Sequence, residues 1–205
     1  MRTLALVLMA MAMGCRTSDP PGGSQDLSTD TRDLTITDDL AGASRADLAN
    51  STGAMSLTST AFAEGGAIPL AQSWNQCSPV GNNNNPPLKI AGVPAGTQSL
   101  AILVEDNDVV FAHWGAWDLP ATMTTVAEGS SKTATYPQAF SDFGSKGYQG
   151  PCPPAGGTGH SYKFAVYALD VATLGKPDGT AYADVVTAMA GHIKAQATLN
   201  ARYAR

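Results

Sequence analysis

Apolar and polar residues alternate from Met55 through Ser-Leu-Thr-Ser-Thr-Ala to Phe62, the pattern of a strand with one buried face. A turn-rich stretch at 82–87 follows, and Leu88-Lys-Ile90 opens a second extended run. After the turn Val93-Pro-Ala-Gly-Thr97 comes Ser99-Leu-Ala-Ile-Leu-Val104, a nearly continuous apolar run of strand length. Its continuity predicts burial on both faces. His113-Trp-Gly-Ala-Trp-Asp-Leu119 reads as the next strand, stopped by Pro120, and Tyr162 to Leu169 is the clearest strand in the chain. From Ala181 to about Ala195, Val185, Val186, Met189 and Ile193 recur at helical spacing and predict one helix with a one-sided apolar stripe. Thr198 to Tyr203 is either a last short strand or a continuation of that helix. The pattern predicts a mainly β domain with a helix near the C-terminus.

The first 53 residues do not share this rhythm. Arg2 is followed by an apolar run from Leu4 to Met13, too short to span a bilayer and typical of an export signal. The run ends at Ala12-Met13-Gly14-Cys15, which resembles the lipobox of bacterial lipoproteins. On that likeness residues 1–14 are a signal peptide and Cys15 is lipidated, with Ala12 standing where a larger aliphatic residue is usual. The alternative is an ordinary secretory signal with a chance cysteine. Residues 16–52 lack aromatic residues and carry seven Asp against three Arg. Asp-Leu recurs at 26–27, 33–34, 39–40 and 47–48, but one apolar position per repeat is too few for a coiled-coil seam. Residues 15–53 are therefore expected to form a disordered acidic tether, with a root-mean-square span of roughly 35 Å. The domain proper is expected over 54–205.

The net charge of −5 belongs largely to that tether. Lys and Arg are scattered singly, which argues against a nucleic-acid partner. Export also changes how the cysteines read. With Cys15 assigned to lipid, Cys77 and Cys152 remain as a pair in a compartment that tolerates disulfides. A bridge between them, two free thiols and a metal site are the three readings, and no CxxC spacing supports the metal.

Candidate chemistry gathers at strand ends. Asp106 and Asp108 follow the buried strand at a spacing that would put both carboxylates on one side of an extended segment. His113 opens the next strand. The segment Tyr148-Gln-Gly-Pro-Cys-Pro-Pro-Ala-Gly-Gly-Thr-Gly-His-Ser-Tyr162 is too rich in proline and glycine for a helix or a regular strand. It forms a stiff loop that delivers His160 and Tyr162 onto a strand. Protonated imidazoles, hydroxyls and loop N–H groups suit an anionic ligand.

Asp106-Asn-Asp108, His113-Trp114, Gly150-Pro-Cys-Pro-Pro154 and His160-Ser-Tyr162 together resemble the phosphatidylethanolamine-binding protein family, most closely its bacterial, Raf-kinase-inhibitor-like branch. The likeness runs from about Ser56 to Arg205 and includes Pro86-Pro87-Leu88, Gly92 to Thr97, Asp142-Phe-Gly144, Tyr167 to Asp170 and Gly191-His192. It implies a large antiparallel-rich sheet packed with a smaller one, plus a helix near the C-terminus. It also implies a small anion-binding pocket able to take a phosphate or phospholipid head group. Carried over, the pocket residues are Asp106, Asp108, His113, Gly150, Pro151, His160 and Tyr162, with no catalytic residue, metal or cofactor.

The chain departs from the family pattern in three places. Asp-Pro-Asp-Ala-Pro becomes Asp106-Asn-Asp-Val-Val110, His-Arg-Tyr becomes His160-Ser-Tyr162, and residues 74–85 end in a run of four asparagines. Two function classes follow. The first is a non-enzymatic, membrane-tethered binding protein for a small anion, phospholipid head group or protein partner. The second is a hydrolase using Asp106, Asp108 and a histidine with a metal or activated water, although no nucleophile or HExxH signature is present.

Overall fold

The computed structural model describes residues 54–205. The expected signal peptide, Cys15 lipidation and acidic tether lie outside these residues. Eight strands and one α-helix follow in order: β1 (Ser56–Ser59), β2 (Gly66–Ala67), β3 (Leu88–Ala91), β4 (Ser99–Asp106), β5 (Phe111–Pro120), β6 (Thr125–Val126), β7 (His160–Leu169), α1 (Tyr182–Met189) and β8 (Ile193–Tyr203). A small sheet has the order β1-β3-β6. The larger sheet has the order β2-β8-β7-β4-β5, antiparallel except for the β2–β8 pair. The mainly β fold, the two sheets and the helix near the C-terminus are as the sequence predicted.

Strand β4 is buried nearly throughout, and its alternation explains why. Leu100, Ile102 and Val104 face the core between the two sheets, with Leu57, Ile90, Phe164 and Val166. Ala101 and Leu103 face a second core against α1, with Trp117, Val185 and Met189. Each fully buried Leu, Ile or Val of this kind contributes roughly 1.5–3 kcal/mol. The domain is thus layered as small sheet, large sheet and helix.

The helix is shorter than its spacing suggested. It ends at Met189, Gly191 turns with φ +84°, and Ile193 already belongs to β8. Only Val185 and Met189 of the predicted stripe are buried, whereas Val186 and Ile193 are exposed. The ambiguity at 198–203 resolves as strand, with Ala197, Leu199, Ala201 and Tyr203 alternately buried. A glycine just past the last turn is the stop signal that the stripe obscured. Pro120 ends β5 from inside the strand, which is tolerated because β5 is the sheet edge.

Candidate functional site

The order β7-β4-β5 brings three strand ends together. Asp106, the last residue of β4, is in register with Tyr162 near the start of β7 and with Phe111 at the start of β5. A β-bulge then adds one residue to β5: Val104 pairs with Trp114 and Glu105 with Ala112, leaving His113 between them. Bulges re-aim side chains, and this one places His113 beside Tyr162, the rings edge-to-face with centroids 5.2 Å apart. A cavity of about 330 Å³ lies against these side chains. Phe111, Phe143 and Val109 form its apolar side, and Cys152, Pro153 and Pro154 its other wall.

The polar groups hold one another in defined states. His160 Nδ1 lies 2.6 Å from Asp106 Oδ2, while Asp106 Oδ1 accepts the Asp108 N–H at 2.9 Å. His113 is 3% exposed, and its Nδ1 meets the Gln149 carbonyl at 2.6 Å. A carbonyl can only accept, so Nδ1 carries the proton and Nε2 is left with a free lone pair. Burial pushes the His113 pKa below its ordinary value, against the Gln149 carbonyl and the Asp106 carboxylate, which pull it upward. His113 is therefore neutral at neutral pH, not the imidazolium that the sequence suggested. Tyr162, 1% exposed, keeps its proton because burial and the neighbouring Asp106 carboxylate both push its pKa upward.

Of the seven residues singled out in the sequence, Asp106, His113, His160 and Tyr162 line the cavity, and Asp108, Gly150 and Pro151 stand outside it. The extended backbone ends at Asp106, so Asp108 sits in a turn, exposed, with Oδ2 accepting the Ser161 N–H at 2.6 Å. It ties the β4–β5 turn to the start of β7. Gly150 is buried behind the wall, its N–H donated to Asn83 Oδ1 at 2.7 Å. A Cβ there would lie 2.1 Å from the Gln72 carbonyl oxygen, so only glycine fits. The Pro151 carbonyl accepts the Trp74 N–H at 3.2 Å. Cys77 and Cys152 form a disulfide, Cα atoms 5.7 Å apart, which removes the free-thiol and metal readings of that pair.

Several contributors escaped the sequence reading. Phe143 meets Phe111 and His113 edge-to-face, Phe111 lies tilted against His113, and Trp74 lies tilted against Phe143 at 4.5 Å between centroids. The asparagine run, unusual as sequence, is structural. Asn83 holds Gly150 and the Tyr148 carbonyl, and Asn85 caps Ser131 and bonds the Ala127 carbonyl. Among the described residues no three His, Cys, Asp or Glu side chains converge closely enough to hold a metal ion.

The family model described as phosphatidylethanolamine-binding protein matches residues 58–204. The chain belongs to the phosphatidylethanolamine-binding protein family. A UPF0098 protein of Methanothermobacter thermautotrophicus is 37% identical over 158 residues, covering 74% of this chain and 99% of that protein. One from Aquifex aeolicus is 35% identical, covering 74% of this chain and 89% of its own. The crystal structure of a phosphatidylethanolamine-binding protein homologue from Chlamydia trachomatis matches with a TM-score of 0.65 and 35% identity, covering 74% of this chain and 98% of that one. E. coli YbcL, a member of the mammalian PEBP family, matches with a TM-score of 0.70 and 28% identity, over 75% and 99% of the two chains. As a member of this family, the chain carries Asn107 and Val110 where the prolines of the pattern are missing, both exposed.

Proposed function

We propose that the domain is a non-enzymatic binding module whose cavity takes a small anion, in the form of a phosphate or phospholipid head group. The observation that carries this reading is the convergence of His113, His160 and Tyr162 with Asp106 on one cavity of about 330 Å³, at the lower end of the size range of small-molecule sites. Asp106 is already satisfied by His160 and by the Asp108 amide. With its Nδ1 turned to Asp106, His160 has Nε2 left for a ligand, as His113 does on the other side. An anion gains most from these nitrogens when they carry protons, so binding is coupled to proton uptake. With the His113 pKa lowered by burial, affinity increases as pH falls below the ordinary histidine value of 6.5.

In the same proposal the protein is exported and tethered through Cys15, so that the cavity meets head groups or an exported protein partner whose activity it modulates. The signal-like run and the small residues before Cys15 support that placement. The hydrolase alternative finds no support in the site, where both oxygens of Asp106 are engaged by protein groups.

Nuclear magnetic resonance with glycerophosphoethanolamine, a diester that does not itself titrate near neutrality, tests the reading. Saturable shifts of the amides around His113 and His160, tighter at acidic than at alkaline pH, are expected. No shift there with this diester or with inorganic phosphate would overturn it.

A further inference from the structure

A second and larger cavity, about 470 Å³, shares Asp106 and Phe111 with the first but opens beside α1. Its walls are Phe111, Phe140 and Tyr182, with the carboxylates of Glu105 and Asp142 and the rim residue Val110. Among the described residues, no Lys, Arg or His lines it. Lys163 stands next to it and pairs with Glu105 at 2.6 Å, offsetting one negative charge. The N-terminus of α1 adds a partial positive charge of about 0.5, and Asp184 in its first turn opposes that. Negative charge therefore prevails in the groove, in contrast to the imidazole-lined cavity.

The apolar surface here is unusually open. Phe140 is 47% exposed and Val110 is 91% exposed, although both are large apolar residues. Val110 also has φ +51°, a left-handed conformation that a β-branched residue adopts only under strain. The buried Tyr182 hydroxyl has no hydrogen-bond partner among the described residues, and its pKa is pushed upward by burial and by the Glu105 charge. Two aromatic rings and an uncancelled carboxylate make a receptor for a cation carried on an apolar stem.

We propose that this groove docks an arginine- or lysine-bearing segment of a protein partner. The cationic head lies between Asp142 and the rings of Phe140 and Tyr182, and the neighbouring apolar residues of the segment rest on Val110. Charge complementarity favours a basic partner. The size of the cavity, about 470 Å³ with Val110, Phe111, Phe140 and Tyr182 as apolar lining, favours a peptide segment over a small amine. The proposal does not depend on anion binding in the first cavity, because the deciding residues, Phe140 and Asp142, do not line it.

Fluorescence polarisation with a labelled pentapeptide carrying a central arginine between leucines, against its citrulline counterpart, tests the idea on the intact protein. The arginine peptide binds saturably, weakens with salt, and loses about fivefold in affinity in Phe140→Ala. A similar loss follows in Asp142→Asn, an exposed site whose amide oxygen can still accept the Ala112 N–H. Glycerophosphoethanolamine shifts at His113 and His160 stay as they are in Phe140→Ala, whose side chain does not line the first cavity, which separates this proposal from the previous one. Equal binding of the citrulline peptide overturns it, as does affinity unchanged in both variants. Competition by ethylammonium as effective as by the peptide overturns the assignment to a protein segment.

Discussion

The wall of the first cavity built from Cys152 to Pro154 and the wall built from Asp106 to Phe111 face the same space, yet different forces hold them. The former is tied covalently to Cys77, and through Pro151 and the Arg205 guanidinium, which donates to the Pro153 and Ser78 carbonyls. The latter has no covalent tie. Asp108 accepts from Ser161, Asp106 from Asp108, and Asp142 from the Ala112 N–H at 2.7 Å, so carboxylates do the holding. The cavity thus has one covalently stapled wall and one wall held by hydrogen bonds to carboxylates. Strain at Val110 lies on the second wall.

The stapled wall gives the largest expected effects. Replacing both cysteines by serine releases a bridge spanning 75 residues. By loop-closure entropy this costs about 4 kcal/mol, read as a lower urea midpoint in the variant. Amide signals of Trp74 and Pro153's neighbours should broaden or move, while those of Ala165 and Val166 in the central sheet hold. If the midpoint is unchanged, the bridge is not what fixes this wall. Next comes Gly150→Ala. The added methyl meets the backbone of Gln72 and Ser73, which cannot rotate away as a side chain could. About 3 kcal/mol of destabilisation is expected, again from urea unfolding. Gly144→Ala is the control, since nothing lies within 4 Å of its Cβ and only its positive φ resists.

A smaller effect separates the walls by pH. His113 donates from Nδ1 to Gln149 on the stapled side and faces Phe111 and Phe143 on the other. Its pKa is lower folded than unfolded, so the unfolded chain binds the proton more readily. The contribution is fully present above 6.5 and is lost as pH falls from there toward the folded value. Asp178, held low chiefly by Lys146, loses its contribution only at pH below the usual carboxylate range. The two windows are therefore distinct. Urea midpoints measured in steps from pH 8 to pH 5 should decline for the parent and stay flat for His113→Gln, whose amide can still donate to Gln149. A parallel decline in both would remove His113 as the cause.

The same contrast explains what could be read in the sequence. The stapled wall was legible because proline, glycine and a paired cysteine are rare residues with few alternative uses. Its stiffness and its delivery of His160 and Tyr162 follow from composition, whereas the cysteine pairing was one of three readings that composition left open. The layered sheet was legible too, since β4 is apolar on both faces. The turn wall was not. Asp106-Asn-Asp108 reads as extended until one knows that the strand stops at Asp106, and nothing local fixes that end. The bulge at His113 is set by pairing with β4 and has no signature in β5 alone. Phe111 carried no signal of its own, and Phe143 was marked only as part of a stretch in the family likeness. Asn83 was hidden for another reason: its role depends on Gly150, 67 residues away.

The finest distinction between the walls is strain at one residue. Val110 holds φ +51° with its side chain almost wholly in solvent, so neither packing nor a side-chain hydrogen bond offsets the left-handed conformation. That conformation costs a β-branched residue roughly 1–2 kcal/mol. Glycine removes the cost but loses about 0.5–1 kcal/mol through its freer unfolded chain. Val110→Gly should therefore stabilise by about 0.5 kcal/mol, a rise of roughly 1–2 °C in Tm. On the stapled wall the same logic reverses. Gly159 has φ +74° and a Cβ there would lie 2.4 Å from the Tyr203 carbonyl oxygen, so Gly159→Val must lose stability. Differential scanning calorimetry of the two variants reads both signs in one experiment. A Tm lowered by Val110→Gly would mean that contacts of the valine, not the turn's own geometry, set the shape of the wall held by carboxylates.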